Sequence, residues 1–184
     1  MVKDFIIRKA TLADAAEILD IYTPYILDTA ITFESEPISL EDLKKRMEKI
    51  QSKYPWVVCE TEGHIVGYAY CSRFRERASY DWDCECSIYV KDGFHGAGIA
   101  SMLYTKLFDL AYRLGYYNIY AVIGYPNERS EALHKKFGFR KVGILEHAGY
   151  KLGKWRDVMI MEKKINSSEE TPAKPKLISE ISDF

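Results

Sequence analysis

Apolar residues recur along this chain with either a strand period or a helix period, and short segments of the two kinds alternate. Alternating or continuous apolar runs predict strands, whereas apolar residues spaced three and four apart predict helices. The predicted strands are residues 5–8, 56–59, 65–71, 84–90, 119–123 and 155–161. The predicted helices open near Thr11, Ser39, Gly96 and Ser130, and the last three end near residues 51, 114 and 137. This order predicts a mixed α/β or α+β sheet that contains a βαβ unit.

The length and the changing composition predict one domain followed by a short tail. A chain of 184 residues is long enough to bury one sizeable core but short for two. We therefore predict a single domain over residues 1–165. From about Asn166 the composition shifts to Ser, Glu, Pro and Lys, which predicts a disordered tail over residues 166–184. Its scattered apolar residues, Ile178, Ile181 and Phe184, are candidates for docking on a partner.

Charge and hydropathy exclude two classes of partner. The chain carries 26 basic and 27 acidic residues, a formal net charge of −1, and so lacks the basic surface that nucleic-acid binding requires. Its first residues contain no apolar signal core, and no stretch approaches the roughly 20 apolar residues of a membrane span. We expect a soluble, cytoplasmic protein with neither a nucleic-acid nor a membrane partner.

The four cysteines give no metal or disulfide pattern. Cys59, Cys71, Cys84 and Cys86 all lie in apolar segments with strand character, and no pair has the C-x-x-C spacing. Cys84 and Cys86 share one strand face, which has only weak metal-site character. We predict buried free thiols and no bound metal.

A glycine-rich loop follows the predicted strand 84–90. Gly96 and Gly98 remove side chains where the strand turns into a helix, so several backbone N–H groups can converge at the positive end of the helix dipole. This arrangement suits a pyrophosphate. The loop lacks the Gly-Lys-Ser/Thr of a P-loop, and Ser101 and Asn118 replace the small residue and the acid of a dinucleotide-binding fold. A tight turn without a ligand is the alternative interpretation.

The strand before the loop carries a candidate general base. A period of two places Glu85, Ser87 and Tyr89 on one face and apolar side chains on the other. A protonated amine cannot attack a thioester until it loses a proton, so a transferase profits from a carboxylate beside the thioester. Glu85 is placed for that role. A strand glutamate that faces solvent or an arginine is the alternative.

Four segments together resemble the GNAT superfamily of N-acetyltransferases. They are Glu85–Val90, His95–Ala100, Asn127–His134 and Phe137–Phe139, and their order and spacing match over residues 3–163. Within the superfamily, Thr29–Glu34 and Gly149–Asp157 are similar to phosphinothricin and methionine sulfoximine acetyltransferases. The resemblance implies a GNAT-like fold, a central, mixed, mostly antiparallel twisted sheet with splayed central strands flanked by helices. It also implies acetyl-CoA as the co-substrate and a homodimer.

The resemblance also implies roles for particular residues. Glu85 would be the general base, and His134 the acid that protonates the departing thiolate; a packing role is the alternative for His134. The implied cofactor contacts come from Ile88, Tyr89 and Val90 for the pantetheine, from Gly96, Ala97, Gly98, Ile99, Ala100 and Ser101 for the pyrophosphate, and from the side chains of Asn127 and Lys136. A helix cap is the alternative for Asn127, and a solvated lysine for Lys136. His95 stands where Arg or Gln is commoner, which puts a side-chain contact from this position in doubt.

Residues shortly before Glu85 favour an acidic acceptor. Arg73, Arg75 and Arg77 alternate with other residues, so three guanidinium groups could share one side of an extended segment and pair with a carboxylate or phosphinate. A solvated loop is the alternative. The resemblance singles out Arg75 and implies further acceptor contacts from Phe33, Ala78, Ser79, Tyr80, Glu85, Cys86 and Ser87, with Trp82 as another candidate wall.

We therefore predict an enzyme that acetylates the α-amine of a small glutamate-like amino acid, by direct attack within a ternary complex. One alternative is a superfamily member acting on another amine, such as a protein N-terminus or a polyamine, although a polyamine would favour an acidic pocket. The other is a module that binds acyl-CoA without turnover. Replacement of Glu85 by glutamine distinguishes a catalyst from such a sensor.

Overall fold

The computed structural model describes residues 4–167 and 171–181 and places them in one seven-stranded sheet with helices on both faces. The strands are β1 (Ile6–Lys9), β2 (Trp56–Thr61), β3 (His64–Arg73), β4 (Asp83–Val90), β5 (Asn118–Tyr125), β6 (Arg140–Lys151) and β7 (Lys154–Lys164). The helices are α1 (Ala15–Asp28), α2 (Leu40–Gln51), α3 (Ile99–Leu114) and α4 (Glu128–Lys136). No described helix is long and apolar enough to cross a membrane.

The strand order is β1-β2-β3-β4-β5-β7-β6, and the β4–β5 pair is parallel where the other neighbouring pairs are antiparallel. The register of β4 with β5 runs only from Asp83 opposite Asn118 to Glu85 opposite Tyr120. Beyond Glu85 the two strands separate, although β4 continues to Val90 along β3. The predicted mixed, mostly antiparallel sheet with splayed central strands is confirmed.

Two buried clusters cover the two faces of the sheet. Helices α1 and α2 pack on the face that carries Trp56, Val58 and Tyr68. Helix α3 packs on the opposite face, where Cys84 and Cys86 of β4 lie in the core. All four cysteines are buried and carry free thiols, as the strand pattern predicted.

Strand β6 was not predicted from the sequence. Most of its side chains are exposed, and its pairing with β7 is interrupted between Lys141 and Gly143 and again between Leu145 and Gly149. An exposed edge strand with two bulges has no regular alternation of apolar and polar residues for a period-two search to detect. The segment Gly149–Asp157 forms the β6–β7 hairpin, whose turn holds Leu152 and Gly153 at positive φ.

The segment between α1 and α2 is tied down at several points. Tyr22 and Thr32 share a hydrogen bond of 2.8 Å between their hydroxyl oxygens. The buried Lys151 ammonium donates to the carbonyl oxygen of Thr32 at 2.7 Å, and Arg46 donates to the Glu34 carboxylate at 2.5 Å. These contacts hold residues 32–34 against α1, α2 and β6, and Ala30 lies close to Gly124 of β5.

A glycine on β5 permits this close approach, which leads to a test. Gly124→Ala is expected to lower the free energy of unfolding by about 1–3 kcal/mol, because the new Cβ would overlap the carbonyl oxygen of Ala30. Urea denaturation measures the change. Gly143→Ala is the matched control, since a Cβ there meets no heavy atom within 4 Å. Equal midpoints for the two variants would show that the 29–34 segment can move away without cost.

The described part of the tail, residues 171–181, lies against the domain. The Trp82 indole N–H donates to the carbonyl oxygen of Ala173 at 2.7 Å, and the backbone N–H of Lys176 donates to Leu114 at 2.8 Å. Ile178 is 8% exposed and belongs to the cluster under α3. The domain boundary and the disorder inferred for residues 166–184 remain predictions, and Phe184 falls outside the described residues.

Candidate active site

A cavity of about 830 Å³ lies between α1, the end of β4, the glycine-rich loop and α4. Nine of the residues predicted to contact a cofactor line it: Ile88, Val90, Gly96, Gly98, Ile99, Ala100, Ser101, Asn127 and Lys136. Tyr89 and Ala97 are outside this lining. The Tyr89 ring points to the other face of β4, where it packs against Tyr22 and Tyr25 of α1.

The glycine-rich loop forms the N-terminal entrance to α3. Gly96 and Gly98 have φ of 84° and 83°, the left-handed region in which an L side chain is strained. Because of this conformation α3 begins at Ile99, three residues after the predicted start, with Gly98 as its N-cap. The first backbone N–H groups of a helix have no partner within the helix, and they add to its positive dipole end. The loop therefore offers the cavity an anion-binding surface.

Several basic side chains surround this surface. Lys136 of α4 donates from Nζ to the Ser101 hydroxyl at 3.0 Å, so it stands directly over the first turn of α3. Lys91, His95 and Arg129 also line the cavity. Lys91 and Arg129 were not predicted as cofactor contacts. Both lie next to segments that were, and this closeness in sequence could have identified them.

Asn127 is the N-cap of α4. Its Oδ1 accepts a hydrogen bond from the backbone N–H of Ser130 at 3.0 Å, as the capping interpretation anticipated. The cap uses the carbonyl oxygen of the side chain, and Asn127 also lines the cavity. Tyr25 is a further lining residue that sequence reasoning missed, and its hydroxyl donates to the carbonyl oxygen of Val90 at 2.6 Å.

Glu85 lies at the row where β4 and β5 begin to separate. It stands opposite Ser72 of β3 and Tyr120 of β5. Within the described residues, its carboxylate has no hydrogen-bond or ion-pair partner. Burial raises the pKa of Glu85 to about 7, because the ionised form loses solvation without gaining a compensating charge. A carboxyl group with this pKa can accept and release a proton near neutral pH.

His134 lies in the core rather than at the cavity surface. Its ring is 2% exposed, and Nδ1 is 2.7 Å from the carbonyl oxygen of Ser130. Because that oxygen can only accept, Nδ1 carries the proton and Nε2 accepts from the Tyr104 hydroxyl at 2.9 Å. The Cys86 thiol in turn donates to the Tyr104 oxygen at 3.6 Å. Burial lowers the pKa of His134, which favours the neutral imidazole.

The residues predicted to contact the acceptor are divided among several places. We call residues 74–82 the arginine loop. Within it, the Arg75 guanidinium lies over the rings of Phe74 and Tyr80, at 5.1 Å and 5.4 Å from their centroids. Phe74 also stacks on Tyr120 with a centroid distance of 3.9 Å, and this contact brings the loop to the row of Glu85.

Arg73 and Arg75 have different surroundings. Arg73 pairs with Glu76 at 3.3 Å and Asp81 at 3.4 Å, and residues 78–80 form a 3-10 turn that contains Ala78, Ser79 and Tyr80. The alternating arginines of residues 73–77 were predicted to share one side of an extended segment, with a solvated loop as the alternative. The chain instead folds Arg73 back onto the acidic residues of its own loop.

Cys86, Ser87 and Phe33 occupy separate positions around Glu85. The Cys86 side chain points into the α3 core, on the face of β4 opposite Glu85. The predicted contact of Cys86 with the acceptor stays a prediction, and its main chain is the part of the residue that could make it. Ser87 shares the face of Glu85, opposite Tyr70 of β3. The Phe33 ring is partly exposed and packs directly on Gly149 of β6.

Comparison with known proteins identifies the family to which this chain belongs. Residues 7–160 match the family described as the acetyltransferase (GNAT) domain. Phosphinothricin N-acetyltransferase of Streptomyces viridochromogenes is 36% identical over 178 residues, which cover 97% of this chain and 95% of that protein. The L-methionine sulfoximine/L-methionine sulfone acetyltransferase of Salmonella typhimurium is 30% identical and covers 87% of this chain and 94% of that protein.

The fold agrees with a solved structure of the same family. A GNAT superfamily phosphinothricin acetyltransferase from Sinorhizobium meliloti, determined in complex with AcCoA, superposes with a TM-score of 0.89 at 34% identity, and the match covers 94% of each chain. The chain therefore belongs to the GNAT acetyltransferase family. It is an N-acetyltransferase similar to the phosphinothricin and methionine sulfoximine enzymes, and the resemblance seen in the sequence is confirmed.

Proposed function

We propose that this enzyme transfers the acetyl group of acetyl-CoA to the α-amine of a small glutamate-like amino acid, of the phosphinothricin, methionine sulfoximine or methionine sulfone type. The observation that carries the proposal is Glu85, a partly buried carboxylate with a pKa of about 7, at the point where the central strands part. The named activities of the similar enzymes support the choice of acceptor.

The residues at the cavity fit coenzyme A. The left-handed glycines and the start of α3 suit its pyrophosphate, and the nearby side chains of Lys91, Arg129 and Lys136 match its negative charge. Past Glu85, residues 86–90 of β4 are unpaired with β5 in the described chain, so their main chain can hydrogen-bond an extended pantetheine arm. Acetyl-CoA supplies the activated acetyl group, a thioester carbonyl carbon.

In the proposed reaction Glu85 accepts a proton from the substrate ammonium, directly or through a water molecule. The neutral amine then attacks the thioester carbonyl, so that a C–N bond forms and the C–S bond breaks within one ternary complex. No covalent enzyme intermediate is required. As the C–N bond forms, the nitrogen loses a second proton, and the departing thiolate takes up one proton to become the thiol of coenzyme A. We keep His134 as a proposed donor of that proton, a role that requires the doubly protonated imidazole. The neutral ring, whose Nε2 accepts from the Tyr104 hydroxyl, favours the packing alternative.

Arg75 is proposed to bind the acidic group of the acceptor. Its guanidinium is exposed and held over two aromatic rings beside the row of Glu85. Arg75→Ala is expected to raise KM for methionine sulfoximine about tenfold. This effect is near the lower end of the range for losing a hydrogen bond to a charged group, because the site is open to solvent. KM for acetyl-CoA should stay unchanged, and Arg140→Ala is the control, since Arg140 pairs with Glu162 on β7. A parallel rise in both KM values would contradict this role.

A panel of amines tests the proposed acceptor. Phosphinothricin, methionine sulfoximine, methionine sulfone, glutamate, a peptide N-terminus and a polyamine would be offered with acetyl-CoA, and the release of free thiol followed. Turnover should be confined to the glutamate-like amino acids. Turnover of only a peptide or a basic amine would replace the proposed substrate class, and acetyl-CoA binding without turnover of any amine would indicate a sensor.

We also propose that the enzyme is a homodimer. Five large apolar side chains on the β6–β7 hairpin are about half exposed or more: Val142, Leu145, Tyr150, Leu152 and Trp155. Such a patch on an edge strand favours burial against a second copy.

A further inference from the structure

The C-terminal segment contacts the one loop that the proposed function assigns to acceptor binding. Residues 171–181 run past the end of α3 and the start of β4, and Trp82 is the last residue of the arginine loop. We propose that residues 171–181 act as a clamp that positions the arginine loop for the acceptor. This inference rests on the proposed function for its kinetic consequences, but its structural consequence can be measured independently.

The clamp is anchored by packing at one end and by hydrogen bonds along its length. Ile178 is buried in the cluster beneath α3, and the short 3-10 turn Ile178–Glu180 holds it there. Upstream, the Lys176 backbone N–H donates to Leu114, the last residue of α3, and Pro175 lies beside Gly115. The neighbouring side chain of Leu177 is exposed. Ile178 is therefore the position at which a substitution would release the segment.

The side chain of Trp82 connects the anchored segment to the arginine loop. Its indole N–H donates to the Ala173 carbonyl oxygen, and its own carbonyl oxygen accepts from the Tyr117 backbone N–H at 2.8 Å. The next residue, Asp83, accepts from the Asn118 side chain at 2.8 Å. These bonds fix the point at which the chain enters β4, two residues before Glu85.

The opposite end of the loop is fixed separately, by the stack of Phe74 on Tyr120. Between these two ends the side chains of residues 75–79 are exposed, and hydrogen bonds join this part of the loop to the Arg73 side chain at the end of β3. Segments with few buried contacts open at low free energy, so the position of Arg75 depends on both ends being held. Loss of the bond from the Trp82 indole to Ala173 would loosen the loop up to Trp82, while the backbone bond to Tyr117 keeps the start of β4 in place and the glycine-rich loop keeps its shape.

Two full-length variants test the clamp. Ile178→Ala removes the buried anchor, and Trp82→Phe removes the indole N–H but keeps an aromatic ring. Each variant is expected to raise KM for methionine sulfoximine about threefold to tenfold, which corresponds to the free energy of one hydrogen bond. The KM for acetyl-CoA should stay unchanged. Hydrogen exchange should speed up at the amides of residues 74–82 and stay unchanged at residues 96–101. Leu177→Ala, an exposed apolar side chain one residue from the anchor, should leave all four readings at their wild-type values.

The outcomes separate the clamp from ordinary stabilisation. Faster exchange in residues 171–181 of Ile178→Ala, with unchanged exchange in residues 74–82 and an unchanged acceptor KM, would overturn the proposal. A rise of both KM values together would overturn it as well, because it would indicate general loosening. If the wild-type enzyme acetylates no amino acid but Ile178→Ala still loosens residues 74–82, the clamp stands and the proposed acceptor fails.

Discussion

Replacement of Glu85 by glutamine is expected to lower kcat by about 10²- to 10⁴-fold, the usual contribution of a general base. The glutamine side chain has nearly the same size but cannot take a proton from the ammonium group of the acceptor. Acetyl-CoA affinity should be retained, because the cavity lining that we assign to the cofactor does not include Glu85. Steady-state rates and calorimetric binding of acetyl-CoA measure the two quantities.

Asp83→Asn is the matched control for this substitution. Asp83 precedes Glu85 by two residues on the same face of β4, and burial raises its pKa as well. Its carboxylate is occupied by the side chain of Asn118, so the same chemical change there should leave kcat near the wild-type value. A Glu85→Gln enzyme with unaltered kcat would remove Glu85 from the mechanism.

The pH dependence of kcat/KM should follow the ionisation of the same carboxyl group, that of Glu85. A base acts only when ionised, and burial places the pKa of Glu85 at about 7. Below that pH, kcat/KM is expected to fall about tenfold for each pH unit, and above it to level off, since one proton then blocks the base. The rate at pH 5 would thus be about one hundredth of the plateau, from the same single ionisation.

Two measurements assign this ionisation to Glu85. The residual activity of Glu85→Gln should keep rising through pH 7 without levelling off, because only the small fraction of already neutral amine can react, whereas Asp83→Asn should keep the wild-type profile. An inflection between pH 4 and 5 would mean that Glu85 is as well solvated in the working enzyme as in a peptide. An inflection near pH 7 that survives in Glu85→Gln would point to another group.

The features that sequence reasoning predicted correctly depend on neighbours along the chain. Ser39 was predicted to open a helix, and the structure shows its hydroxyl accepting a hydrogen bond from the backbone N–H of Asp42, three residues further along. The alternation that put Glu85 on the polar face of a strand is likewise local. The left-handed backbone at Gly96 and Gly98 follows from residues that tolerate it.

The features that it missed depend on contacts between distant segments. Strand β6 is defined by pairing with β7, and its own exposed side chains give no periodic signal. The raised pKa of Glu85 comes from burial among several elements, which a sequence pattern does not contain. The link from His134 to Cys86 passes through Tyr104 of α3, a residue that no motif in the sequence singled out.

The buried cysteines have a practical consequence for measuring this enzyme. Burial raises the pKa of Cys59 to about 11 and holds those of Cys71 and Cys86 above the usual range, so the folded protein exposes little thiolate. A chromogenic disulfide added to the reaction should therefore react with the released thiol of coenzyme A and not with the cysteines of the folded enzyme. A blank without acceptor that drifts upward would then report loss of the native state, and each progress curve would carry its own check on enzyme integrity.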